Sequence, residues 1–234
     1  MTGLHPPSTR TEEVYRPLRA DLLAGQFEPA QWVKISDLQK RFGTSPTTVR
    51  EALNRLVAEG LLVYVPQHGF RVIELSLAEL RELTDARVRI ETLVLRDSLT
   101  FGDSTWEAAL VGAHHHLDHT PLWLDADRAT LNPDWLVRHT QFHEVLLAGC
   151  SNRRLRAIAN SLRDTAELYR LWSPLPRLSS SQVAADHKRL TELALSRDVE
   201  QCVQLLADHI GHTRRALDRP DTAAGGDGKA PHVG

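Results

Sequence analysis

The sequence predicts a mainly α-helical protein in two parts: a small head of three helices with one β-hairpin, then an all-α helical bundle. Three observations carry this reading. Apolar residues recur at helical spacing along most of the chain. The period changes once, at a β-branched, turn-interrupted stretch between Leu61 and Ile73. Gly, Pro and Asn punctuate the helical pattern into segments of ordinary length.

In chain order, Val14, Leu18 and Leu22 recur every four residues between Thr11 and Gly25, which marks an amphipathic helix ending at a Gly. Ile35, Leu38 and Phe42 share one side of a second helix, over 35–42, and Gly43 breaks it. Ser45 is a natural N-cap and Pro46 suits the first position of a third helix. Its apolar face is Val49, Leu53, Leu56 and Val57, and Gly60 closes it. Leu61 to Val65 reads as a strand, Pro66-Gln67-His68-Gly69 as a turn, and Phe70 to Ile73 as the returning strand. Three helices followed by such a hairpin make a winged helix-turn-helix. From Ser76 onward helical patterns fit 77–100, 104–119, 132–149, 152–172, 179–196 and 198–217, enough to enclose one bundle core. The expected organisation is a head over 10–74, a helical domain over 77–218 and a disordered tail over 219–234, where Pro, Gly, Ala and Asp replace any apolar period.

The 234 residues carry a formal net charge of −2, which argues against a general nucleic-acid coat protein. Between Lys34 and Arg71, however, six basic residues face three acidic ones, a surplus that permits DNA binding. No run of about 18 apolar residues suggests a membrane span, and 1–10 lacks the layout of a secretory signal. Cys150 and Cys202 cannot make a disulfide framework, so the cytoplasm is the expected compartment.

With the third helix in a major groove, Thr47, Arg50 and Asn54 lie opposite its apolar stripe. Arg50 can take a guanine edge or hold phosphate, Asn54 can read adenine, and Thr47 and Thr48 can donate to phosphate or base. At the wing tip His68 stands beside Gly69, where the missing side chain lets backbone approach DNA. Ser45 and Arg55 complete the expected DNA-binding set. Alone, such a polar face is equally a solvated helix surface; the order of helices and wing favours DNA. The run Thr44-Ser45-Pro46-Thr47-Thr48-Val49-Arg50-Glu51-Ala52-Leu53-Asn54-Arg55-Leu56, then Ala58-Glu59-Gly60-Leu61, resembles the recognition-helix signature of GntR-family regulators, and Gln67 to Val72 resembles their wing. The resemblance implies a regulator, here read as a repressor, that binds double-stranded operator DNA as a homodimer, since paired half-sites need paired heads. Many members carry Arg where Pro46 stands, so base preference is not transferable.

Twelve histidines are many for this length, and four fall on apolar faces. His139 and His143 sit among Trp135, Leu136, Phe142, Leu146 and Leu147; His187 among Val183, Leu190 and Ala194; His209 among Cys202, Leu205, Leu206 and Ile210. They could converge in the bundle core on a metal, or each could be a hydrogen-bonded core residue. His115, His116, His119 and His212 fall on polar sides, with His114 borderline. Leu83 to Glu91, Phe142-His143, Asn152, Leu155, Asp186-His187 and His209 resemble, in order, the motifs of the all-helical FCD ligand-binding domain of the FadR subfamily. That resemblance implies metal ligands at His143, His187 and His209, with His139 standing where metal-binding members carry Asp. A fourth imidazole in place of a carboxylate favours Zn²⁺, or Ni²⁺ and similar ions, over Mn²⁺. If Zn²⁺ takes all four the metal is structural; at higher coordination an organic-acid effector can complete the shell, with Arg87 pairing its carboxylate or serving only as an interhelical partner. Three rivals are a metal-free regulator of a larger ligand such as an acyl thioester, a metalloenzyme, and a helical interaction module that has lost DNA binding. The enzyme reading lacks a His-Glu-x-x-His motif, a Gly-rich phosphate loop and an evident buried carboxylate near the histidines. No enzyme activity is expected.

Overall fold

The computed structural model describes residues 9–74, 76–124, 131–172 and 180–217. The expected tail over 219–234 and the break at 173–176 lie outside the described residues.

The head runs α1 (Arg10–Leu23), β1 (Trp32–Val33), α2 (Ile35–Phe42), α3 (Pro46–Ala58), β2 (Leu62–Val65) and β3 (Gly69–Val72). Thr9 caps α1 by accepting from the Glu12 amide at 3.2 Å, and Ser45 caps α3 by accepting from the Thr48 amide at 3.2 Å. These side-chain oxygens satisfy amides that have no partner within the first turn of a helix. The sheet is antiparallel in the order β1-β3-β2, with Leu62 opposite Val72 and Val65 opposite Gly69 in the hairpin. β1 is an addition to the expected hairpin: Trp32 pairs with Arg71 and Val33 with Phe70. Two residues show no periodicity, so the strand exists only because β3 offers it an edge. At the wing tip Gly69 has φ +102°, a conformation that side chains rarely adopt. Leu18, Leu22, Val49, Leu53, Leu56, Leu61, Phe70 and Val72 close the head's core, all 2% exposed or less, each stabilising by about 1.5–3 kcal/mol.

The bundle holds α4 (Leu77–Phe101), α5 (Ser104–Asp118), α6 (Pro133–Leu146), α7 (Arg153–Trp172), α8 (Ser180–Leu195) and α9 (Val199–Leu217). α4 packs on α7 and α9, while α5 packs on α6 and α8. Helix α6 stops three residues short of Gly149. The turn beyond it presses against α4: a Cβ at Gly149 would come within 2.5 Å of the Ser98 carbonyl, and Ser98 Oγ donates to the Leu146 carbonyl at 2.8 Å. Cys150 and Cys202 are both free and buried. Among the described residues, no helix is long and apolar enough to cross a membrane.

Helix α7 joins the two parts. Its Leu168 is fully buried within the head's core cluster. Ser161 and Thr165 donate their hydroxyls to the Glu59 carbonyl at 3.3 and 3.5 Å. Arg19 of α1 pairs with Glu59 at 3.1 Å and also with Asp164 of α7. The opposite face of α7 looks into the bundle, where Arg163, fully buried, meets Glu91 of α4 at 3.2 Å.

Candidate metal centre and nucleic-acid interface

Helices α6, α8 and α9 bring His139, His143, His187 and His209 together, each offering one ring nitrogen within 4.8 Å of the others. The one-turn spacing of His139 and His143 sets their Nε2 atoms 3.2 Å apart. A tetrahedral Zn²⁺ with Zn–N of about 2.0–2.1 Å requires ligand nitrogens about 3.4 Å apart, so this pair already suits it. His139, His143 and His187 are 2% exposed or less.

Burial, followed by the positive charge of Arg170, pushes His139 down to about 3. Burial likewise holds His143, His187 and His209 below the ordinary imidazole range. All four rings are therefore neutral near pH 7, the form that donates a lone pair to a metal. Their proton positions follow from their partners. Asp186 Oδ2 lies 3.1 Å from His209 Nδ1, and Gln182 donates to its other oxygen at 2.8 Å. Burial alone would raise the Asp186 carboxyl, but these contacts hold it below its ordinary value. As an ionised acceptor it fixes the proton on His209 Nδ1 and leaves Nε2 bare. His187 Nε2 is buried and without a hydrogen-bond partner, as are His139 Nδ1 and His143 Nδ1. Buried polar atoms are rarely left unpaired, and a cation among the four rings would engage His187 Nε2. The donor set and its orphaned nitrogen fit a divalent metal.

Several partners were not legible from periodicity. Glu167 of α7 is 4% exposed and lies 3.2 Å from His139 Nδ1, which overturns the expectation that no buried carboxylate accompanies the histidines. Arg170 Nη1 stands 3.4 Å from His139 Nε2. Glu167 and Arg170 follow Arg163 at helical spacing, and that ladder of charges beside apolar residues was the available signal. His212, expected on the surface, lies partly buried with Nδ1 3.3 Å from Asp186. Arg87, the expected effector residue, is buried and bonded to Glu91 at 2.7 Å. A cavity of about 170 Å³ opens beside the cluster, lined by His114, Leu117, Thr120, Trp135, Val183 and His187.

In the head, Thr47, Arg50 and Asn54 are exposed along α3, and Ser45 and Thr48 are engaged with each other at its cap, 3.0 Å apart. Arg55 is turned toward α1, bonded to Glu12 at 2.6 Å with its guanidinium 3.7 Å above the Tyr15 ring. His68 Nδ1 meets the Pro66 carbonyl at 3.1 Å, which directs Nε2 outward beside Gly69. Trp32, on the strand that sequence reasoning missed, stacks on His68 with ring centroids 5.8 Å apart. With Lys34, Arg50, Tyr64 and His68 it lines one groove between recognition helix and wing.

Both parts of the chain match known families. Residues 10–72 match the model of the bacterial regulatory proteins of the gntR family, and residues 82–212 match the FCD domain. The chain is 34% identical over 199 residues to the HTH-type transcriptional regulator BphR of Paraburkholderia xenovorans, covering 85% of this chain and 81% of that protein. It is 32% identical over 200 residues to the HTH-type transcriptional repressor GlaR of Escherichia coli, covering 84% and 90%. Among solved structures, McbR/YncC of E. coli superposes with a TM-score of 0.73 at 20% identity, over 90% of this chain and 98% of that one.

Proposed function

The chain belongs to the gntR family of bacterial regulatory proteins, with an FCD domain behind its DNA-binding head, and from that premise we propose a homodimeric repressor whose bundle binds a divalent metal and a small carboxylate effector. Both family models and the named relatives are of regulators, so the histidines are read as a binding centre and not as an enzyme's. The observation that carries the proposal is the convergence of four neutral imidazoles on one buried point. An all-nitrogen donor set favours Zn²⁺, with Ni²⁺ next. The metal would be held by His139, His143, His187 and His209 and would supply a positive centre to attract an acidic effector.

A small acid suits the surroundings better than an acyl thioester. The cavity beside His187 is about 170 Å³, below the roughly 300–1,000 Å³ of sites for drug-sized ligands. Arg170 is the cation nearest the cluster and can take a carboxylate bidentately. Both arginines are paired, Arg87 with Glu91 at 2.7 Å in a hydrogen bond and Arg170 with Glu167 at 3.5 Å, and the longer Arg170 pair is the easier to exchange for an effector carboxylate. On the DNA side, Thr47, Arg50 and Asn54 read base edges, Ser45 and Thr48 meet phosphate, and His68 and Gly69 enter with the wing. Arg55 acts through α1 by bracing α3.

An effector changes operator affinity only by the difference in its binding to the DNA-competent and other arrangements. Selection from random duplex DNA should enrich a two-fold symmetric site. Arg50→Ala or Asn54→Ala should then weaken binding about 5- to 100-fold, the equivalent of roughly 1–3 kcal/mol per base contact. Adding Zn²⁺ with small organic acids should shift operator affinity. No enriched sequence would refute the DNA-binding assignment, and affinity unmoved by every metal and acid combination would refute the switch.

A further inference from the structure

We infer that Glu167 is the positioning residue of the metal centre: it holds the proton on His139 Nδ1, so that His139 presents a bare Nε2 and serves as the fourth ligand. This rests on the metal-binding reading above. One hydrogen bond fixes the tautomer, and one close approach supplies the acceptor. A guanidinium can only donate, so Arg170 Nη1, 3.4 Å from His139 Nε2, requires a lone pair on that nitrogen. An imidazole that accepts at Nε2 carries its proton on Nδ1; His139 Nδ1 is buried with no aligned hydrogen-bond partner, and the carboxylate oxygen Glu167 Oε1 lies 3.2 Å from it. Arg170 Nε stands 3.5 Å from Glu167 Oε2, an ion-pair distance that sets a positive charge beside the carboxylate.

The pairing also matters for charge. The donors themselves are neutral, so Glu167 on His139 and Asp186 on His209 are the nearest negative groups to an incoming dication. A carboxylate behind an imidazole raises its basicity and fixes its ring, and removing such a partner typically weakens metal binding about 10- to 100-fold.

The test is a double-mutant cycle on the full chain, read as Zn²⁺ affinity by chelator competition and as the visible spectrum of the Co²⁺-loaded protein. Glu167→Gln, nearly the same shape, should weaken Zn²⁺ about 10- to 100-fold and alter the Co²⁺ bands. In a His139→Asp background, where the ligand is itself a carboxylate and needs no acceptor behind it, Glu167→Gln should change affinity less than about threefold, the residual expected of an uncoupled site. An equal loss in both backgrounds makes Glu167 merely structural, and no loss in either removes it from the centre; both overturn the inference while leaving the metal site intact. If Glu167→Gln fails to fold, the Co²⁺ spectrum of Glu167→Asp decides: bands identical to wild type would overturn the inference, and displaced bands would support it. Wild-type protein that takes up neither ion contradicts the metal reading itself.

Discussion

The unfolded chain protonates each histidine near pH 6.5, whereas His139 in the fold stays neutral down to about 3. His143 and His187 are also held well below their ordinary value, with burial the first cause in each. Between pH 6.5 and about 3 the unfolded state therefore binds more protons than the folded one. Stability from these residues is fully present above that window and is lost as the pH falls through it, by about 1.4 kcal/mol per pH unit for each imidazole. Thermal melts of metal-free protein should show Tm falling steadily from about pH 6.5 to about 5.5, and less steeply in His143→Phe. A Tm unchanged across that range would contradict the burial of neutral histidines.

Helix α7 gives one face to each part of the molecule: Leu168 enters the head's core, while Arg163 and Glu167 enter the bundle. Leu168→Ala should cost about 2–5 kcal/mol, as for other large-to-small core changes. Because the lost contact spans both parts, it should split one thermal transition into two; a single transition with unchanged Tm would contradict the docking. The elements themselves were largely legible in the sequence. α2 spans 35–42 and α3 begins at Pro46 behind its Ser45 cap, as Gly43, Ser45 and the apolar stripe imply. β1 was not legible, because a two-residue strand has no period and depends on Phe70 and Arg71. The four histidines were legible by spacing because each shares an apolar face. Glu167, Arg170 and Asp186 were not, because a charged residue on a helix reads as solvated until tertiary packing supplies its partner. The bond from Arg55 to Glu12, 43 residues earlier, was not legible for the same reason.

At the scale of the whole molecule, a DNA-binding head rests on a helix that also carries a carboxylate 3.2 Å from the candidate metal ligand His139. A change at His139 thus has a short route through Glu167 and α7 to Asp164, Arg19 and α1. In a homodimer the two heads must meet half-sites about 34–36 Å apart, so a modest tilt of α7 alters both contacts together. All of this depends on the bundle's centre holding a metal. The most direct measurement is the metal content of untagged protein, wild type beside His143→Ala and His187→Ala. A metal-holding centre should carry about one Zn²⁺ or Ni²⁺ per chain in the wild type, as a single site of this kind binds, and should lose the ion in both variants. Wild-type protein free of metal even after reloading, or variants that retain it, would contradict the account and return the four histidines to the bundle's core.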